Sequence, residues 1–68
     1  MLKTKEHYTI DELRKAGCYA LSPMEMTTYF VGFMEDNGFE KGLFMEQVSE
    51  NRFLLINVFD TDQLGLQI

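Results

Sequence analysis

The sequence predicts an α+β domain, two N-terminal helices packed on an antiparallel β-hairpin in the order α-α-β-β, and three observations carry that expectation. Two helix-start signatures stand in the first half of the chain, at Thr9-Ile10-Asp11-Glu12 and at Ser22-Pro23-Met24-Glu25. Beyond Asn37-Gly38 the hydrophobic period changes from that of a helix to that of strands. The 68 residues, 46% hydrophobic and 25% charged with six Phe and three Tyr, match one small globular domain spanning residues 1–68, with no repeat or linker to divide it.

The first helix is written as a capping box. The Thr9 hydroxyl can accept from the Glu12 amide while the Glu12 carboxylate accepts from the Thr9 amide, which satisfies two N–H groups that have no partner within the helix. Tyr8 and Leu13 occupy the hydrophobic-staple positions, Arg14 and Lys15 suit the negative end of the helix dipole, and Gly17 can take a left-handed stop conformation. These signals predict a short helix over roughly Ile10 to Ala16.

The second start places Ser22 at the cap and Pro23 at the first helical position, where a missing N–H costs nothing, with Leu21 and Met26 as staple partners. Met26, Tyr29, Phe30, Phe33 and Met34 then fall at i, i+3, i+4, i+7 and i+8, one stripe of a helix. Asn37-Gly38 reads as its terminator, with Phe39 folding back onto Met34. A helix over Pro23 to Asn37 is thus expected to be the main core element.

Leu43 to Val48 and Phe53 to Phe59 flank the polar turn Ser49-Glu50-Asn51-Arg52 and read as a hairpin. A four-residue loop sets Val48 opposite Phe53, Gln47 opposite Leu54, Met45 opposite Ile56 and Leu43 opposite Val58. That register puts Leu43, Met45, Gln47, Leu54, Ile56 and Val58 on the face expected to meet the second helix. Phe44, Glu46, Val48, Phe53, Leu55, Asn57 and Phe59 share the other face, which two helices do not suffice to cover. Leu64, Leu66 and Ile68 alternate with polar or small residues, a pattern equally open to a third short strand extending the hairpin and to a frayed tail.

Eleven acidic against six basic residues give a formal charge of −5, which repels a phosphate backbone and argues against direct nucleic-acid binding. The charge is uneven: residues 1–16 carry four Lys/Arg and three Asp/Glu (4 − 3 = +1), and residues 17–68 carry two and eight (2 − 8 = −6). A lone Cys18 cannot make an intramolecular disulfide, so the expectation is a reducing compartment, the cytoplasm, with a bridge between two chains as the alternative use of the thiol. The start of the chain is charged and the longest run of aliphatic or aromatic residues is Phe53 to Ile56, so neither an export signal nor a membrane span is expected.

Catalytic and metal chemistry find little support. His7 and Cys18 are the only residues of their types, too few for a zinc set, and nothing in their spacing marks a nucleophile with its base. Asp60-Thr61-Asp62-Gln63-Leu64-Gly65 opens like a calcium loop, but Leu64 stands where an oxygen ligand is required. Glycines 17, 32, 38, 42 and 65 form neither a dinucleotide fingerprint nor a phosphate loop. The expectation is a protein that is no enzyme and takes no cofactor or metal.

The order of short helix, tight connection, longer helix and hairpin, over about Thr9 to Phe59, resembles the later part of a winged helix-turn-helix domain, with Pro23 to Asn37 in the recognition-helix position. No Lys or Arg occurs between Leu21 and Glu40, so the resemblance implies a protein partner rather than DNA. The function expected is that of a small acidic protein-binding module, an inhibitor, adaptor or regulator of the kind phages and mobile elements carry as accessory proteins. Phe44, Val48, Phe53, Leu55 and Phe59 are its expected anchors, and Glu35, Asp36, Glu40 and Glu46 its charged rim toward a basic patch on the partner. The alternative is a homodimeric winged-helix-like regulator whose sheet face forms the dimer interface.

Overall fold

A computed structural model describes residues 2–61 of the chain. Strand β1 (His7–Tyr8) leads into helix α1 (Ile10–Lys15), followed by β2 (Cys18–Pro23), β3 (Tyr29–Asp36), β4 (Phe39–Ser49) and β5 (Arg52–Asp60). The five strands form one antiparallel sheet in the order β1-β5-β4-β3-β2, curved into a half-barrel. This corrects the expected α-α-β-β architecture: the domain is mostly sheet with one short helix, so neither the α+β class nor the winged-helix resemblance holds. Leu64, Leu66 and Ile68, read above as a third hairpin strand or a frayed tail, lie outside the described residues.

Helix α1 is built as its residues dictate. The Thr9 amide donates to Glu12 Oε1 at 2.8 Å and the Glu12 amide to Thr9 Oγ1 at 3.2 Å, closing the capping box. The Ile10 amide donates to Asn51 Oδ1 at 3.0 Å, so a further free N–H of the first turn ties the helix start to the β4–β5 turn.

The expected helix over Pro23 to Asn37 is instead the end of β2, a loop over residues 24–28, and β3. In a segment this rich in aromatics the period of 3.6 and the period of 2 both find apolar matches, and here pairing decides between them. Thr27, Thr28, Tyr29, Phe30, Val31 and Phe33 are β-branched or aromatic, residue types that favour a pleated surface, and Gly32 weakens a helix interior. Asn37 (φ 53°) and Gly38 (φ 83°) are not a helix stop but the two left-handed residues of a tight hairpin turn, with Asp36 paired to Phe39. Pro23 is tolerated because β2 is an edge strand.

The hairpin of β4 and β5 forms, but with two compensating bulges. Ser49 pairs with Arg52 and Gln47 with Phe53, leaving Val48 as an extra residue on β4. Met45 pairs with Leu55 and Phe44 with Asn57, leaving Ile56 extra on β5, after which Leu43 meets Val58 as expected. Between the bulges the register differs by one residue from the simple loop, and a slip of one turns side chains to the other face. Phe53 and Leu55 therefore enter the core with Leu43 and Met45, and Leu54 moves outward.

The core lies on the inner face of the sheet. Leu13, Cys18, Met34, Leu43, Met45, Phe53 and Leu55 are buried there, with Phe30 meeting Phe53 edge to face at 5.2 Å between ring centres. Gly17 joins α1 to β2 at φ 109°, a conformation that side chains disfavour, and a Cβ there would stand 2.8 Å from the Glu35 carbonyl oxygen.

Candidate functional site

The outer face of the sheet is assembled by register alone. Val31 lies beside Phe44 and Phe33 beside Gly42 across β3 and β4, while Phe44 faces Asn57, Gly42 faces Phe59 and Glu46 faces Leu54 across β4 and β5. Alternation puts Tyr29, Val31, Phe33, Phe44, Leu54 and Phe59 together on this side, opposite the core. All are half-buried except Tyr29, which is exposed, and no helix packs over them among the described residues. Tyr29 and Phe44 stack with ring centres 5.1 Å apart. The ring of Phe59 lies over Gly42, where a Cβ would come within 2.3 Å of it, so that glycine is what allows the aromatic layer to lie flat on the strand.

Carboxylates stand at both ends of this layer. Glu46 pairs with Tyr29 in the ladder and accepts a hydrogen bond from Thr28 Oγ1 at 3.1 Å. At the other end Glu35 and Glu40 face each other across β3 and β4, a like-charged pair that opposes pairing, and the Tyr19 hydroxyl donates to Glu40 and offsets part of that cost. Asp36, the next residue of β3, alternates to the inner side of the sheet beside the Asn37-Gly38 turn. The acidic corner expected at a helix end is thus the tip of a hairpin. Lys41 is on the inner face, ion-paired with Asp60, and Arg52 lies at the far tip of the β4–β5 hairpin.

The structure divides the expected anchors. Phe44 and Phe59 lie on the outer layer, with Glu46, Glu35 and Glu40 at its ends. Phe53 and Leu55 are 2% and 0% exposed in the core and offer no surface, and Val48, 46% exposed, stands out at its bulge. Sequence reasoning missed Tyr29, Val31 and Phe33 because it placed them in a helix; the signal that finds them is their own period of two, closed by Asn37-Gly38. Leu54 was missed because nothing local announces the two bulges.

His7 and Cys18 lie on β1 and β2, the opposite edges of the sheet, so they do not converge. Cys18 is buried with its Sγ donating to the Ala20 carbonyl at 3.3 Å. No group of three or more His, Cys, Asp or Glu residues that could hold a metal occurs among the described residues, and no helix there is long and apolar enough to cross a membrane.

These features define a small antiparallel sheet domain with one face covered and the other left open among the described residues. Comparison with protein families, curated proteins and solved structures finds no match to this chain.

Proposed function

We propose that this domain is a small acidic binding module, an inhibitor, adaptor or regulator rather than an enzyme, whose outer aromatic layer docks a protein surface that is apolar at its centre and carries Lys or Arg at its margin. What supports the reading is the contiguous layer of Tyr29, Val31, Phe33, Phe44, Leu54 and Phe59, terminated at both ends by carboxylates. Large aromatic side chains supply contact area at small entropic cost, and flanking carboxylates steer a basic partner and exclude an acidic one. The net charge of −5 acts in the same direction and disfavours nucleic acid as the partner. The buried, unpaired thiol of Cys18 fits a reducing compartment, and the cytoplasm is the proposed site of action.

The test is selection of short peptides from a random displayed library on the immobilised protein, with light scattering of the free protein over a concentration series. The expected result is a monomer that enriches peptides combining apolar residues with Lys or Arg, and that loses them on Tyr29→Lys or Val31→Lys. A stable dimer that these two substitutions dissociate would mean a second copy covers the face and would overturn the hetero-partner reading. A monomer that enriches no such peptides would overturn it as well.

A further inference from the structure

A second surface of opposite electrical character lies at the β2 edge of the sheet. Among the described residues strand β2 has β3 on one side only, and α1 runs beside it, leaving a groove of about 330 Å³ lined by Ile10, Leu13 and Arg14 of the helix and by Cys18, Tyr19, Ala20 and Leu21 of the strand. The Met24 amide donates to the Tyr29 carbonyl at 2.8 Å, which marks Met24 and Tyr29 as a hydrogen-bonded pair. Antiparallel ladders alternate, so Ser22 with Val31 is the next such pair, and the intervening Leu21 and Pro23 turn their backbone polar groups away from β3. Leu21 therefore presents one N–H and one C=O to the open edge. Pro23, in the following outward position, has no N–H to present, and the irregularity between Cys18 and Ala20 interrupts the edge on the other side. The edge is open for a short segment and closed to long strand pairing.

Arg14 is exposed at the rim of this groove, and its guanidinium makes no hydrogen bond or ion pair with the described residues. It belongs to the first sixteen residues, whose balance of 4 − 3 = +1 contrasts with 2 − 8 = −6 for residues 17–68. A partner segment entering here meets an apolar floor, two main-chain groups and one unpaired cation.

We infer that the groove between α1 and β2 accepts a short extended peptide carrying an acidic residue, which adds to the sheet as a sixth strand. One peptide residue exchanges both main-chain hydrogen bonds with Leu21. A neighbouring apolar side chain enters over Leu13, Cys18 and Leu21, and the carboxylate reaches Arg14. This surface adjoins the acidic end of the aromatic layer at Tyr19, whose hydroxyl donates to Glu40, and selects the opposite charge, so a domain using both would join a basic partner to an acidic one.

The test is titration of the isotope-labelled protein with a blocked peptide Glu-Val-Thr-Val-Glu, followed by amide chemical shifts, with the Gln-for-Glu and Lys-for-Glu peptides in parallel. The expected result is saturable shifts at Ile10, Leu13 and Leu21 with slowed exchange of the Leu21 amide, and tighter binding of the Glu peptide than of either counterpart. Arg14→Gln should weaken the Glu peptide by about 5-fold, the scale of an exposed ion pair, and leave the Gln peptide unchanged. Arg14→Glu should invert the preference toward the Lys peptide, a gain that damage to the fold does not produce. Shifts confined to the Tyr29 to Phe44 layer, equal affinity for the three peptides, or pairing of β2 with a second copy that excludes the peptides would each overturn the inference. None of these results depends on whether the aromatic layer binds a basic partner.

Discussion

Gly17→Ala is the most informative single change, because the structure supplies two separable penalties at that residue and a second glycine that carries only one. At φ 109° an alanine is strained by about 1–2 kcal/mol, and its Cβ would lie 2.8 Å from the Glu35 carbonyl oxygen, an atom of the β3 backbone that cannot swing aside. Relieving that contact separates β2 from β3 at the point where the Glu35 amide donates to the Gly17 carbonyl at 3.4 Å, a further loss of about 1 kcal/mol. Gly38, at φ 83°, has nothing within 4 Å of a built Cβ, so Gly38→Ala bears the conformational strain alone. The expected losses are about 2–3 kcal/mol for Gly17→Ala and about 1 kcal/mol for Gly38→Ala, from a total stability of about 3–10 kcal/mol for 68 residues. In urea, with a slope of about 1 kcal/mol per M, the midpoint should fall by about 2–3 M and about 1 M respectively, with the slope itself unchanged. Equal losses for the two variants would refute the argument from the Glu35 contact. A loss below about 0.5 kcal/mol at Gly17 would refute the junction geometry altogether.

Leu13 is the one buried side chain of α1, 1% exposed, and Leu13→Ala should cost about 2–5 kcal/mol, read as a lowered urea midpoint or as loss of the native circular dichroism at 37 °C. Thr9→Ala removes half of the capping box and should cost about 1 kcal/mol by the same urea measurement. Asp60→Asn breaks the ion pair with Lys41, whose side chains are 28% and 56% exposed for Lys41 and Asp60, and should change stability by less than about 1 kcal/mol, a difference that 1 M salt diminishes. A double-mutant cycle on Tyr29→Ala and Phe44→Ala should give a coupling of about 0.5–1.5 kcal/mol from the stacked rings, and zero coupling would mean the outer layer does not pack as described.

Local signals were legible where a few neighbouring residues satisfy one another. The capping box at Thr9 and Glu12, the limits of α1 and the strand character of Leu43 to Val48 and Phe53 to Phe59 needed no distant contact to be read. The helix expected over Pro23 to Asn37 failed because its evidence was an apolar stripe in a segment where aromatics fall on several periods at once. A Ser-Pro start makes a helix only if the residues after it gain more from local hydrogen bonds than from a neighbouring strand. Tyr29 to Asp36 gain more from β4, against which every residue of β3 pairs, and Asn37-Gly38 supplies the turn that brings the two together.

The candidate site was half legible for the same reason. Phe44, Phe59 and the carboxylates Glu35, Glu40 and Glu46 were recognisable as surface groups from their spacing, whereas Phe53 and Leu55 changed sides with the bulges at Val48 and Ile56. By itself the sequence determined the acidic balance with a slightly basic first sixteen residues, helix α1 with its caps, and a hairpin after residue 38. Only the tertiary structure decided that the middle of the chain is strand, that Leu54 faces out while Phe53 faces in, and that α1 lies beside an open sheet edge. Caps and turns are short-range contacts between neighbours in the chain; strand partners and bulges are settled by residues far apart in sequence competing for the same core volume, which periodicity along the chain does not encode.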